Sequence, residues 1–216
     1  MKWMVSMAAL LVAVAACARE AQVPTAPPAS SQQEAAKAYA REQYLWRAKR
    51  IIDLNRPDGW TSLVGLHWLD PGVHRVGSDP DNGIRLAMGP AHLGVFTVRD
   101  GKASFVADTE VTVDGQPSRG GALRSDTSPA GASAIGFDGG NGLATVIERG
   151  GRLALRVKHA EAETRRNFAG LDYWLGGMAW QVPARFVAHP AGKTLPVLDV
   201  LGNTQQIANP GVLEFE

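Results

Sequence analysis

The sequence predicts a mainly β domain, a sandwich or open barrel of short antiparallel strands preceded by one N-terminal helix. Three observations carry this prediction. After Asp58-Gly59, glycine becomes frequent and short apolar runs alternate with Asp-Pro-Gly, Asp-Gly, Gly-Gly and Gly-Asn turns. Leu143–Glu148 and Leu153–Lys158 flank Arg149-Gly150-Gly151, a hairpin whose glycines supply the positive φ that such turns need. Between Glu34 and Arg56, by contrast, alanines and charged residues dominate and neither Gly nor Pro interrupts the run until Pro57.

The chain has 216 residues and a formal net charge of +1. Without its first segments about 180 residues remain, enough for one domain or two small ones with a core of their own. The charge balance argues against a nucleic-acid partner, which calls for a basic excess on one face. The single cysteine rules out an intrachain disulfide.

Residues 1–16 read as an export signal. Met1-Lys2-Trp3 is weakly positive, and Met4 to Ala16 is apolar apart from Ser6. That run is too short to span a bilayer, which takes about 20 residues, but it fits the apolar region of a signal peptide. Val14-Ala15-Ala16-Cys17 resembles the bacterial lipobox. The resemblance implies that Cys17 takes a diacylglycerol on its thiol and becomes the new N-terminus. Ala18 follows where an Asp would imply inner-membrane retention, so the expected address is the outer membrane, facing the periplasm. Residues 17–33, rich in Pro, Ala and Ser, read as a lipid-anchored flexible tether.

Residues 34–57 form the predicted helical segment, with Ser30 or Ser31 as its cap. Tyr44, Ile51 and Leu54 share one face with Leu45 and Ile52 beside it; Arg41, Arg47, Lys49 and Arg50 make the opposite side basic. Residues 58–216 form the β-rich domain. Its predicted strands are 61–68, 72–76, 83–86, 94–98, 104–106, 111–113, 133–137, 143–148, 153–158, 179–187 and 194–200. The last residues, Val212 to Glu216, read as an unpaired strand with no turn or tail after it. An apolar edge left open is a liability, so the expectation is a C-terminally truncated domain.

Blocks in a fixed order carry a family resemblance: Trp46 to Asp70 (WRAKRIIDLNRPDGWTSLVGLHWLD), Gly77-Ser78-Asp79-Pro80, Pro90 to Phe96, Val146 to Lys158, and Phe168-Ala169-Gly170-Leu171. Over residues 44–216 the chain resembles the bacterial family called domain of unknown function 1684. The resemblance implies a secreted or lipid-anchored protein, implies no activity, and implies further strands beyond residue 216. The family's acidic residue after the Val-Lys pair is here His159. Within the first half, Val76 to Leu86, His92 and Val113-Asp114-Gly115 resemble forkhead-associated sandwich domains. Ser78 stands where their phosphate-binding arginine would be and Pro90-Ala91 precede His92, so phosphopeptide binding is not expected.

The candidate ligand-binding residues are Arg149, Arg152, Arg156, Lys158, Arg165, Arg166, Tyr173 and Trp174. Strand alternation puts Leu153, Leu155 and Val157 on one face and Arg152, Arg156 and Lys158 on the other. Guanidinium groups near aromatic rings suit an anionic or glycan ligand; the competing reading is a solvated strand face. Trp60 and Trp68 are expected in the core. His67, Asp70 and His74 lie close in sequence, but a turn separates them and no metal site or cofactor is expected. There is no Gly-x-Ser-x-Gly elbow and no His-Glu-x-x-His. The expected function is therefore a non-catalytic envelope module binding an anionic or glycan ligand. The alternatives are a hydrolase completed by a missing segment, or a non-functional truncated copy.

Overall fold

The computed structural model describes residues 29–174, 176–199 and 202–215. The expected signal (1–16), Cys17 and most of the tether lie outside the described residues. The protein is mainly β with one long N-terminal helix, as expected.

Helix α1 spans Ala29–Leu54. It takes in residues 29–33, which had been assigned to the tether, and encloses both Ser30 and Ser31, so neither serves as its cap. Alanine and long straight side chains explain the extension, because they lose little freedom in a helix. Gly170, Tyr173 and Gly176 lie against a narrow strip of α1 at Trp46, Arg47 and Ile51; Ile51 and Leu54 are half-buried, whereas Tyr44, Leu45 and Ile52 stay exposed. Arg47 belongs to the covered strip, not to the exposed basic side, and stacks 4.7 Å over the Tyr173 ring.

Nine strands make one sheet: β1 (Leu63–Leu69), β2 (Gly72–Gly77), β3 (Ile84–Arg85), β4 (Gly94–Arg99), β5 (Lys102–Val113), β6 (Gln116–Leu123), β7 (Ala134–Phe137), β8 (Gly142–Arg149) and β9 (Arg152–His159). The order is β1-β9-β8-β7-β5-β4-β2-β3, with β6 also on β5, and the sheet is nearly closed into a barrel. Pairing is antiparallel except between β2 and β3. The strand β5 joins two stretches predicted separately. Its first half pairs with β4 and its last residues with β7, and its register with β6 breaks between Val106 and Val111. The strand β6 was not predicted, because Pro117 and Gly120-Gly121 read as turn residues.

The core fills the barrel interior. Phe96 and Phe105 are register partners, fully buried, with ring centroids 4.6 Å apart. Phe137, Leu93, Ile135, Leu155, Val146 and Val157 complete the layer. Gly94 is needed here: a Cβ on it would lie 2.2 Å from the Val106 carbonyl oxygen and 2.7 Å from the Phe105 ring. The β8–β9 hairpin turns on Gly150 and Gly151, both at positive φ, and buries Leu153, Leu155 and Val157 as the alternation predicts.

Four strands follow: β10 (Arg185–Ala188), β11 (Thr194–Leu198), β12 (Thr204–Ala208) and β13 (Gly211–Glu214). They nest, β11 with β12 and β10 with β13, and His189 N–H to Pro210 O and Asn209 N–H to Lys193 O continue the ladder between them. The result is a two-stranded ribbon with Phe186, Leu195, Leu198 and Leu213 exposed. The terminal segment is thus hydrogen-bonded to β10, which overturns the expectation of an unpaired strand there. The predicted strand at 179–187 shortens to β10, preceded by a 3-10 turn at Met178–Trp180.

Candidate ligand-binding site

The end of α1 is fastened to the barrel by the segment that follows it. A Cβ on Gly59 would lie 2.2 Å from the Leu54 carbonyl oxygen, so only glycine lets the chain turn this tightly under the helix. Buried Ser62 donates to Gly59 O at 2.7 Å, and Thr61 donates to Leu54 O at 3.0 Å. Arg165, on the short helix α2 (Glu163–Arg166), reaches Asn55 O at 3.1 Å and Ala160 O at 2.8 Å. Thr164 donates to Thr61 O at 2.5 Å. These bonds fix the angle between α1 and the 3-10 turn that begins at Trp60.

That angle opens a cleft of about 500 Å³ lined by Trp46, Lys49, Arg50, Asp53, Leu54 and Trp60, within the size range of small-molecule sites. Trp60 is 67% exposed and Trp46 52% exposed. Trp60 had been expected in the core; it points outward because the 3-10 turn buries Ser62 instead. Lys49 is paired with Asp53. Arg50 sits 5.7 Å from the Trp46 ring centre, and Arg156 of β9 sits 5.9 Å from that of Trp60. Neither guanidinium forms an ion pair among the described residues.

The predicted ligand-binding residues separate into distinct environments. Arg149 is held by Asp126 at 2.9 Å. Arg152 stacks 4.3 Å over Trp68 and approaches Asp70 at 3.5 Å. Lys158 donates to Asp58 O at 2.5 Å, and burial lowers its pKa against the opposing pull of Asp58. Arg165 ties backbone carbonyls, as above. Arg166 is exposed, and Trp174 is 95% exposed. Tyr173 packs edge-on behind Trp46, centroids 6.1 Å apart, under the Arg47 cation. Arg156 therefore remains from the basic hairpin as a guanidinium beside an open aromatic ring, and Tyr173 supports the opposite wall. Trp46, Arg50 and Trp60 were missed as site residues. The family-like block begins at Trp46, but nothing in the linear pattern says which of its tryptophans face solvent.

Other groupings are built differently. His74 and the Asp70 carbonyl oxygen are 2.7 Å apart. His67 folds over Gly65; its Nε2 is buried without a hydrogen-bond partner, and burial lowers its pKa. His67, Asp70 and His74 thus do not converge. Asp79, Asp81 and His92 do bring ligand atoms within 4.8 Å of one another, at the surface. Buried His159 lies 3.0 Å from Asp138 through Nε2, and its Nδ1 accepts from the Glu161 N–H, so both ring nitrogens are hydrogen-bonded. A larger groove, about 760 Å³, runs between β5, β6 and β7 over Gly136, Gly139 and Gly140. Its charged side chains, Glu110 and Arg119, are opposite in sign, and its Phe137 is buried in the core. Among the described residues no helix is long and apolar enough to cross a membrane.

Comparison with family models, with curated proteins and with solved structures returns no match.

Proposed function

We propose that the protein is a lipid-anchored module of the bacterial envelope, a member of the family it resembles, that binds an anionic or glycan ligand without catalysis. The anchor is Cys17, and the expected address is the outer membrane facing the periplasm. The observation that carries the binding reading is the cleft, in which two solvent-facing indoles meet the Arg50 guanidinium, with Arg156 of β9 beside Trp60 outside the lining; neither cation forms a direct ion pair among the described residues, although Arg156 acts at longer range on Asp126. An exposed indole supplies broad, rigid area for a ligand. Arginine adds directional donors for oxyanions.

The test is titration calorimetry of the full-length protein in detergent micelles against sugars and simple anions. Trp60→Ala and Trp46→Ala are expected to weaken binding at least about tenfold each with unchanged circular dichroism, since both rings are largely exposed. Binding that survives both substitutions undiminished refutes the cleft as the site.

A further inference from the structure

We infer that the cleft takes an acidic saccharide, a sugar ring bearing a carboxylate or phosphate, in preference to a neutral sugar or a free anion. This rests on reading the cleft as a binding site and goes on to its selectivity.

The four cation–aromatic pairs differ. Arg152 over Trp68 and Arg47 over Tyr173 are close, at 4.3 and 4.7 Å, and each is otherwise engaged: exposed Arg152 also meets Asp70 at 3.5 Å, and both the Arg47 Nε and the Tyr173 hydroxyl are buried. Arg50 beside Trp46 and Arg156 beside Trp60 stand farther off, at 5.7 and 5.9 Å, on rings that are more than half exposed. At that distance the cation covers less of the ring. The indole retains open surface and the guanidinium retains free N–H donors.

Each half alone makes a weak site. An anion held only by exposed arginines is screened by salt and competes with water. A neutral sugar lays the C–H patch of its ring on the electron-rich indole face and offers the guanidinium only uncharged hydroxyl oxygens, which make weaker bonds than an oxyanion. A ring carrying an acidic group uses both at once: its C–H face lies on Trp60 or Trp46, and its oxyanion takes paired N–H bonds from Arg156 or Arg50. Charge points the same way. Asp53 is paired with Lys49, so Arg50 leaves the cleft lining net positive, and Arg156 adds positive charge beside Trp60. A volume of about 500 Å³ suits a short saccharide rather than a macromolecular surface.

The experiment uses the full chain in detergent micelles and three probes: a galacturonic acid tetramer, the galactose tetramer of the same linkage, and inorganic phosphate. Calorimetry is run at two salt concentrations. The acidic tetramer is expected to bind at least about tenfold more tightly than either other probe, and to weaken with salt. Arg156→Gln and Arg50→Gln are each expected to lower its affinity about tenfold and so to shrink its advantage over the neutral tetramer; Trp60→Ala lowers both and keeps the ratio. Equal affinity for both tetramers overturns the acidic preference but leaves the cleft a sugar site. Phosphate binding as tightly as the acidic tetramer overturns the saccharide and leaves an anion site. Binding of none of the three overturns this inference and the binding reading together.

Discussion

Replacing Phe105 by alanine tests the barrel core directly. The side chain is fully buried on β5 and packs on Phe96 across the ladder. It also roofs Gly94, where a Cβ would fall 2.7 Å from its ring. The glycine that admits the ring cannot refill the space once the ring is gone, because it has no side chain to rotate inward. Truncation should therefore fall in the upper part of the usual range for buried phenylalanine, about 4–5 kcal/mol. For a domain of this size that corresponds to a fall of about 8–20 °C in Tm. Urea denaturation of the wild type and variant, with the slope compared as well as the midpoint, measures it. Phe96→Ala and the double variant should show coupling of about 0.5–1.5 kcal/mol for the pair. Gly94→Ala should not rescue Phe105→Ala, because the Val106 carbonyl oxygen still lies 2.2 Å from the new Cβ. A loss below about 2 kcal/mol for Phe105→Ala, or rescue by Gly94→Ala, would show that this part of the barrel is not packed as argued.

Further outcomes follow from single contacts. Burial lowers the His67 pKa, so below its usual value the unfolded chain takes up a proton that the folded chain refuses. Stability should decline as pH falls below about 6.5, and the His67→Leu variant should lose that part of the slope in pH-dependent melting. Burial would raise the Asp126 pKa, but the bonds from Arg149 and the Glu148 N–H outweigh it and the net shift is downward. Its contribution is present above the unfolded carboxylate range and disappears as pH falls through the lower folded value. Asp126→Ala should cost about 1 kcal/mol at pH 7 after solvent screening, and the difference from wild type should vanish in acid. Cys17→Ser should abolish acylation and release the protein from membranes in a fractionation assay; retention in the membrane pellet would count against the anchor.

The barrel and helix were legible in sequence wherever local chemistry and tertiary pairing agree. The β8–β9 hairpin is the clearest case: turn glycines, period-two apolar residues and the observed register all coincide. The strand β6 was not legible, since its Pro117 and paired glycines argue locally for a turn while β5 supplies the ladder that makes it a strand. The ribbon strands β12 and β13 were missed or left unpaired for the same reason, because their partners β11 and β10 are what define them.

The site divides along the same line. Sequence alone determined that cations and aromatics accumulate around residues 149–174 and that Arg152, Arg156 and Lys158 share a strand face. Only the tertiary structure decided which of them remain unpaired. Asp126, Asp70 and the carbonyl of Asp58 lie 23, 82 and 100 residues away from the groups they engage. Arg156 meets Trp60 across a similar separation, and Trp46 is brought opposite by the turn at Gly59. The charge on a side chain is a property of its residue type, but whether that charge is spent depends on a neighbour that only folding brings near.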